Sequence, residues 1–197
     1  MKRVILVRHG ETDWNRENRI QGGLDIPLNE RGREQARDIA ARLSHTVIRY
    51  VYSSRLSRAL ETAIEIAKFH KLEVLTDSRL DELRQGKWEG MKVSEARRLY
   101  PDLYSRWEKD PTSVTPPGGE SVREAFQRAR DFWTENILPR EGTGVIVAHK
   151  VINALIKLVL KNDSRLNLLW GKLPENAQIE KFSFNRVSSY PANLPYV

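Results

Sequence analysis

Two short, uninterrupted apolar runs, far apart in the chain, both lead directly to a histidine. Val4 to Val7 leads to His9, and Gly144 to Ala148 leads to His149. Apolar runs of this length are typical of strands buried on both faces, as in the centre of a parallel sheet. Ligands of open α/β sheets bind at the carboxyl ends of such strands. One histidine there commonly just ends a strand, but two in equivalent positions favour a shared crevice.

Four other segments show the apolar periodicity of helices. They are Glu30 to about Leu43 with Asn29 as N-cap, Arg55 to about Phe69, a segment from Ser121 to about Ile137, and Val151 to Leu160. Ser121 and Glu124 form a capping-box signature at the start of the third. The second has an apolar stripe that is expected to face the core: Leu56, Ala59, Leu60, Ala63, Ile64 and Ala67.

Three more runs are predicted strands, namely Val47 to Tyr52, Leu72 to Leu75 and Ala177 to Phe184. Strands that alternate with helices indicate an α/β fold with a mostly parallel central sheet and helices on both faces. A chain of 197 residues without an evident linker is expected to form one domain, residues 1–197. The fold class is therefore a single-domain three-layer α/β/α sandwich.

Glycine and proline interrupt the segment from Asp77 to Gly119, which we expect to hold short helical pieces and to determine substrate specificity. The tail from Tyr190 onward is expected to be irregular. No apolar run approaches the roughly 20 residues of a membrane span. The first residues lack the cleavage site of a signal peptide, so the expected location is the cytoplasm, with no membrane partner.

The composition excludes several kinds of catalytic and metal-binding site. The chain has no cysteine, which excludes disulfides, thiolate nucleophiles and zinc–thiolate sites. No HxH, HExxH or DxD-like arrangement is present, so neither a metal nor another cofactor is expected. The net charge of +7 suits nucleic acid or a small acidic substrate. Because basic and acidic residues are mixed along the helices, we favour the small substrate over nucleic acid.

Six stretches of sequence together resemble one known family. In chain order they are LVRHGETDWN (6–15), QGGLDIPLNERGREQA (21–36), YSSRLSRALETA (52–63), LDELRQGKWEG (80–90), PPGGES (116–121) and VAH (147–149). They cover nearly the whole chain and are similar to the histidine phosphatase superfamily, also called phosphoglycerate mutase-like proteins. The resemblance implies a phosphoglycerate mutase-like fold.

The resemblance also implies a catalytic set. His9 matches the nucleophile, which must present an unprotonated ring nitrogen to phosphorus while the other nitrogen is held as a donor, for example by a backbone carbonyl. A phosphate monoester carries about two negative charges, and Arg8 and Arg58 match the arginines that offset them. His149 matches the second histidine, which donates to the phosphoryl oxygens.

Glu82 matches the general acid that protonates the leaving oxygen. A bound phosphate favours the protonated form of a neighbouring carboxyl, as this role requires. The adjacent Asp81 is the rival. The family pattern places the acid second in this pair, so Glu82 is preferred.

Four further positions are candidates for substrate binding. Asn15, Gln21 and Gly22 match residues that line the phosphate or substrate site, although Gln21 and Gly22 also suit a plain polar turn. Lys150 stands where the family commonly has glycine, and it either extends into the pocket or points to solvent. Arg55 occupies a position where the family often has Asp or Pro, and no role is assigned to it.

The sequence thus predicts a metal-independent histidine acid-type phosphatase, a phosphoric monoester hydrolase acting on a small phosphorylated metabolite through phosphohistidine. The compact segment between LDEL and PPGGES resembles the short phosphatase branch. A cofactor-dependent phosphoglycerate mutase is the alternative, and a non-catalytic binding module is the second. The oligomeric state is open, with a homodimer as one candidate.

Overall fold

The computed structural model describes residues 2–163, 165–166 and 174–184. Within these ranges the strands are β1 (Lys2–Arg8), β2 (Tyr50–Ser53), β3 (Val74–Thr76), β4 (Thr143–Ala148) and β5 (Ile179–Phe184). The helices are α1 (Asp13–Arg16), α2 (Glu30–Leu43), α3 (Ser57–His70), α4 (Val93–Leu99), α5 (Pro101–Lys109), α6 (Val122–Phe132) and α7 (Lys150–Leu160). No helix of the described residues has the length and apolar character needed to cross a membrane.

The strands form one sheet in the order β3-β2-β4-β1-β5. β1 and β4 are parallel neighbours, with Arg8 opposite Ala148. β2 runs parallel to both β3 and β4, and β5 runs antiparallel to β1. The predicted, mostly parallel sheet is confirmed, and its register brings the carboxyl ends of β1 and β4 side by side.

Each face of the sheet has its own apolar core. Ile5, Val7 and Val51 pack with α2 and α3 on one face. Leu6 and Tyr52 pack with α6, α7 and the segment 80–114 on the other. Helices therefore cover both faces, and the three-layer arrangement is confirmed.

Side-chain caps start the helices where the sequence predicts. Asn29 Oδ1 accepts a hydrogen bond from the Gly32 N–H at 2.8 Å, so α2 begins at Glu30. Ser121 and Glu124 form the expected capping box before α6. The predicted helix continues to Ile137, but its last five residues, Trp133–Ile137, form a π-helical turn.

The second predicted helix differs in its buried face. α3 begins at Ser57 rather than Arg55. Ile64 is 39% exposed, whereas Ile66 is fully buried. The buried face includes the polar side chains of Arg58 and Thr62. A stripe counted from apolar residues alone omits these two positions and is therefore rotated on the helix.

Strand boundaries shift by a few residues. The predicted run from Val47 pairs only from Tyr50, and Val47 itself is exposed. β3 and β5 each begin two residues later than expected, at Val74 and Ile179. The tail from Tyr190 lies outside the described residues.

The segment from Asp77 to Gly119 is a packed unit built from short pieces, as expected. Besides α4 and α5 it contains three single 3-10 turns, Ser78–Leu80, Gly86–Trp88 and Pro111–Ser113. The buried Trp88 ring packs edge-on against Tyr104 and Trp107, with centroids 5.0 and 5.7 Å away. This aromatic cluster joins the pieces of the segment and belongs to the apolar core on this face of the sheet.

Candidate active site

His9 and His149 follow the two central neighbouring strands, β1 and β4. Their ring centroids lie 5.1 Å apart with an angle of 57° between the ring planes. Both side chains are buried, at 3% and 0% exposure. The structure thus brings together two imidazoles that lie 140 positions apart in the sequence.

The tautomer of His9 is determined by its own neighbour. Nδ1 lies 2.7 Å from the Gly10 carbonyl oxygen, which can only accept, so Nδ1 carries the proton and donates. Nε2 then has a free lone pair. Burial lowers the pKa of His9 well below its usual value, and the charges of Arg58 and Arg8 lower it further. The ring is therefore neutral near pH 7, the form that can attack phosphorus.

Arg8 and Arg58 are buried beside these rings and are held by backbone carbonyls. Arg8 Nη1 donates to Pro174 O at 2.7 Å. Arg58 donates to Leu24 O and Gly22 O, at 2.7 and 3.0 Å. Burial lowers the pKa of both guanidinium groups, that of Arg58 to about 10. Both arginines stay charged at neutral pH.

Three buried nitrogens near this point lack a hydrogen-bond partner within the described part of the chain: Arg8 Nε, Arg58 Nε and His149 Nδ1. Buried polar groups are nearly always satisfied, and an exception needs an explanation. Phosphoryl oxygens are strong acceptors and would satisfy the two guanidinium N–H groups. The arrangement is suited to a phosphate group between the arginines and the histidines.

His149 is the N-cap residue of α7 and is held on its other side by Ser54. Its Nε2 lies 2.8 Å from Ser54 Oγ. Burial lowers the pKa of His149 well below its usual value, followed by the effects of Arg58, His9, Arg8 and Arg128. His149 is therefore also neutral in the free site.

Glu82 and Asp81 have different surroundings. Glu82 is buried, and its carboxylate accepts from the N–H groups of Leu83 at 2.9 Å and Val151 at 3.2 Å. Its charge acts on both Arg8 and Arg58. The charge of Asp81 acts on Arg58 more weakly, so Glu82 is the carboxylate of the pair that interacts more strongly with the arginines.

Asp81 is occupied elsewhere. One oxygen accepts from Ser54 Oγ and from the Arg55 N–H, each at 2.9 Å. The other accepts from Arg55 Nε at 3.0 Å and Nη2 at 2.7 Å. Arg55, left without a role by the sequence, therefore anchors Asp81 from an exposed position.

Gly22 and Gln21 lie in a loop beside Arg58. The Gly22 carbonyl accepts from Arg58, and its φ of +51° is in the left-handed region. A Cβ at Gly22 would collide with Oε1 of Glu89. Gln21 Oε1 is buried and has no partner among the described residues. This loop contacts the arginine, and so is more than a polar turn.

Asn15 and Lys150 lie at the edges of the site. Asn15 Oδ1 accepts from the Thr12 N–H and from Asn176 Nδ2, both at 3.1 Å. Lys150 is the exposed first residue of α7. Burial of part of its side chain and the charge of Arg8 lower the pKa of Lys150. Lys150 is therefore accessible to solvent, and its charge interacts with that of Arg8.

Sequence reasoning missed three supporting residues. Ser54 contacts His149, Thr62 Oγ1 accepts from the Gly10 N–H at 3.3 Å, and Asn176 Nδ2 lies 3.4 Å from the carbonyls of His9 and Gly10. The pair Ser53-Ser54 directly after a strand was a usable signal for the first. Asn176 is isolated in the sequence, and only the fold brings it near His9.

Groups of three or more potential ligands that could hold a metal ion are absent from the described residues. The cationic groups around His9 are arginines.

The sequence of this chain is similar to known proteins over most of its length. The model of the histidine phosphatase superfamily (branch 1) matches residues 4–189. Phosphoserine phosphatase 1 of Hydrogenobacter thermophilus is 41% identical over 153 residues, 77% of this chain and 72% of that protein. Phosphoglycerate mutase-like protein 4 of Arabidopsis thaliana is 48% identical over 128 residues, 64% of this chain and 56% of that protein.

A solved structure shares the fold over nearly its whole length. The mycobacterial glucosyl-3-phosphoglycerate phosphatase in complex with VO3 superimposes with a TM-score of 0.86 at 30% identity. The match covers 93% of this chain and 91% of that one.

Proposed function

Since this chain belongs to the histidine phosphatase superfamily, we propose that it hydrolyses small phosphate monoesters through a phosphohistidine on His9. The observation that carries the proposal is the neutral His9 ring, with Nε2 free, beside two buried guanidinium groups whose Nε–H groups have no partner in the described residues. A nucleophile and fixed positive charges are the two things that phosphoryl transfer needs.

The first step transfers the phosphoryl group to the enzyme. The lone pair of His9 Nε2 attacks phosphorus, and the bond from phosphorus to the ester oxygen breaks. Arg8 and Arg58 stabilise the charge on the phosphoryl oxygens. Protonated Glu82 gives its proton to the leaving oxygen, so an alcohol departs and a carboxylate remains.

The second step returns the enzyme to its starting form. A water molecule attacks phosphorus and gives a proton to Glu82. The bond between phosphorus and Nε2 breaks, and its electron pair returns to the ring of His9. Inorganic phosphate is released.

We propose that no metal ion is needed for either step. The charge of Arg8 and Arg58 can supply the electrostatic stabilisation that a metal supplies in other phosphatases. Arginine also forms bidentate hydrogen bonds with phosphate oxygens and stays charged at any working pH.

Two relatives suggest acidic substrates, because phosphoserine and glucosyl-3-phosphoglycerate appear in their names. Lys150 places an additional positive charge close to Arg8. We therefore expect a small phosphorylated metabolite with a second acidic group to be preferred. Nucleic acid is not expected to bind.

A mutase is the second candidate, favoured by the likeness to phosphoglycerate mutase-like protein 4. A mutase would return the phosphoryl group from His9 to a second oxygen of the substrate instead of to water. A screen of phosphoserine, phosphoglycerates and sugar phosphates, with and without 2,3-bisphosphoglycerate, separates the two. Release of phosphate without the bisphosphate supports the phosphatase, and isomerised product that needs it supports the mutase.

The covalent step is tested by trapping. The protein is mixed with a phosphate-labelled monoester, quenched within one turnover and digested, and the labelled peptide is identified. We expect acid-labile label on His9. His9→Gln should remove it, and His45→Gln, at an exposed histidine, should retain it. Label on any other residue would refute the assignment.

A further inference from the structure

The hydroxyl of Ser54 has three polar neighbours but only one hydrogen. Ser54 directly follows β2 and is fully buried. Its Oγ lies 2.9 Å from Asp81 Oδ1, 3.1 Å from the Leu56 N and 2.8 Å from His149 Nε2. A hydroxyl can donate one hydrogen bond and accept two. Only one distribution of protons satisfies all three contacts.

The neighbours of Ser54 decide that distribution. The Leu56 N–H can only donate, so it occupies one lone pair of Oγ. The Asp81 carboxylate is held by three donors of Arg55 and can only accept. Ser54 must therefore donate to Asp81. If Ser54 donated to His149 instead, the Ser54 and Asp81 oxygens would lie 2.9 Å apart without a hydrogen between them.

The remaining contact is then settled. Because Ser54 donates its hydrogen to Asp81, its second lone pair accepts from His149. Nε2 of His149 therefore carries a proton. When neutral, His149 has a bare lone pair on Nδ1, the buried nitrogen without a partner in the described residues. His9 is fixed in the opposite tautomer by the Gly10 carbonyl.

A bare lone pair cannot bind an unprotonated phosphoryl oxygen, which also only accepts. Nδ1 can donate to such an oxygen only after it gains a proton of its own. Ser54 keeps the Nε2 proton in place, so the ring cannot become a donor at Nδ1 by exchanging tautomers. It must instead become an imidazolium.

We propose that Ser54 and Asp81 are positioning residues that make phosphoryl binding proton-linked, with His149 taking up one proton as the group binds. The inference rests on the proposed function, which supplies the phosphoryl ligand. One proton, from solvent or from a substrate monoanion, bonds to the Nδ1 lone pair, and the new N–H donates to a phosphoryl oxygen. The proton leaves again when phosphate is released.

The charges around His149 agree with such a switch. Arg58 on α3, Arg8 on β1 and Arg128 on α6 disfavour the imidazolium, as does His9. Burial is the largest cause of the lowered pKa of the free ring, and these charges lower that pKa further. A bound phosphate adds about two negative charges among these groups and favours the imidazolium. The facing carboxylates are that of Asp81, which contacts His149 through Ser54, and that of Glu82, which accepts from the Val151 N–H of α7.

The first test reads the tautomer directly. The whole protein is labelled with nitrogen-15 histidine, and the His149 signals are assigned by their loss in His149→Gln. Long-range proton–nitrogen spectra should show a neutral ring protonated at Nε2 in the free protein. Saturating inorganic phosphate should protonate both nitrogens. A free ring protonated at Nδ1, or a ring still neutral with phosphate bound, would overturn the proposal.

This measurement separates the proposal from the proposed function. The tautomer in the free protein is measured without ligand or turnover. A protein that shows the Nε2–H tautomer but neither binds inorganic phosphate nor hydrolyses monoesters contradicts the proposed function. That result also removes the ligand and so refutes the proton linkage, while leaving the assignment of Ser54 and Asp81 intact.

The second test measures the linkage in Glu82→Gln protein, so that the carboxyl group beside the bound phosphate cannot take up a proton. Above about pH 8 free inorganic phosphate is a dianion. If binding takes up one proton, the dissociation constant of phosphate rises about tenfold for each unit by which the pH increases. Ser54→Ala removes the acceptor that keeps the His149 proton on Nε2, so the ring can donate from Nδ1 without taking up a proton. The dissociation constant should then rise less steeply with pH. Ser53→Ala is the matched control, because the hydroxyl of that buried serine donates to the Ser54 carbonyl and to no other group of the described residues. Equal slopes in the two variants would refute the role of Ser54.

Discussion

The carboxylate of Glu82 accepts a hydrogen bond at 3.2 Å from the backbone N–H of Val151, two residues beyond His149. The start of α7 thus holds both the second histidine and the acid. The positive end of the helix axis favours negative charge at this point. Glu82 is therefore held by backbone groups of a rigid element, close to the reacting centre.

Glu82→Gln should slow hydrolysis of alkyl phosphates about 100-fold or more and that of aryl phosphates by much less. A general acid matters most when the leaving oxygen is basic, and such catalysis contributes roughly 10² to 10⁴ in rate. The measurement is kcat/KM for both substrate types. Asp81→Asn is the comparison, and it should affect both types equally. Equal losses in Glu82→Gln would remove the acid role.

Arg58→Lys should lower kcat/KM by about 100-fold, the usual cost of losing one transition-state donor. Lysine carries the same charge but lacks the rigid planar donors that hold Leu24 O, Gly22 O and the phosphate together. Arg33→Lys is the matched control, since Arg33 is an exposed arginine paired with Glu61 at 3.2 Å. A fully active Arg58→Lys enzyme would show that charge alone suffices.

Gly22→Ala should weaken phosphate binding and lower stability by about 1–3 kcal/mol, because alanine is strained at positive φ. The new Cβ would also displace Glu89. Gly118→Ala separates the two effects, since Gly118 has a φ of +72° but nothing within 4 Å of its added Cβ. Thermal unfolding and phosphate affinity are measured for both. Only Gly22→Ala should lose affinity, and a parallel loss in Gly118→Ala would contradict this view of the loop.

The buried histidines should make the free protein sensitive to acid. The pKa values of His9 and His149 lie well below 6.5 in the folded state, so below about pH 6.5 the unfolded chain binds protons that the folded chain does not. Stability is then lost as pH falls, by up to about 1.4 kcal/mol per pH unit for each ring. Urea unfolding between pH 7.5 and 5.5 should show a smaller loss in His9→Gln. An unchanged pH dependence would mean that His9 is protonated in the folded state.

Activity should survive prolonged treatment with a strong chelator. The positive charge at the proposed phosphate position comes from Arg8 and Arg58, which a chelator does not remove. The assay compares treated and untreated enzyme on a generic aryl phosphate. Activity that disappears on chelation and returns with added metal would contradict the metal-free proposal.

The sequence determined the centre of the fold because the apolar runs before His9 and His149 have few other ways to be buried. Parallel pairing of such strands places both histidines at one edge of the sheet. The resemblance identified Arg58 as a site residue. Helical periodicity alone does not identify it, because the buried face of α3 is partly polar. Periodicity therefore failed where the helix faces the site.

Contacts between distant segments could not be predicted. The chain from Asp81 through Ser54 to His149 joins three parts of the sequence, and each residue taken alone suits an ordinary turn or strand end. The position of Asn176 depends on how the chain approaches β5. Such relationships follow from strand order and loop path, which local patterns do not encode.

The strand order also has a consequence for biosynthesis. β1 and β2 are made early but are not neighbours in the sheet, since β4 (Thr143–Ala148) lies between them. A nascent chain whose β4 has not yet emerged from the ribosome has neither a continuous sheet nor His149. Catalytic activity should therefore arise abruptly, when β4 inserts between β1 and β2. A chain that ends before β4 would contain His9 but lack His149 and the complete sheet.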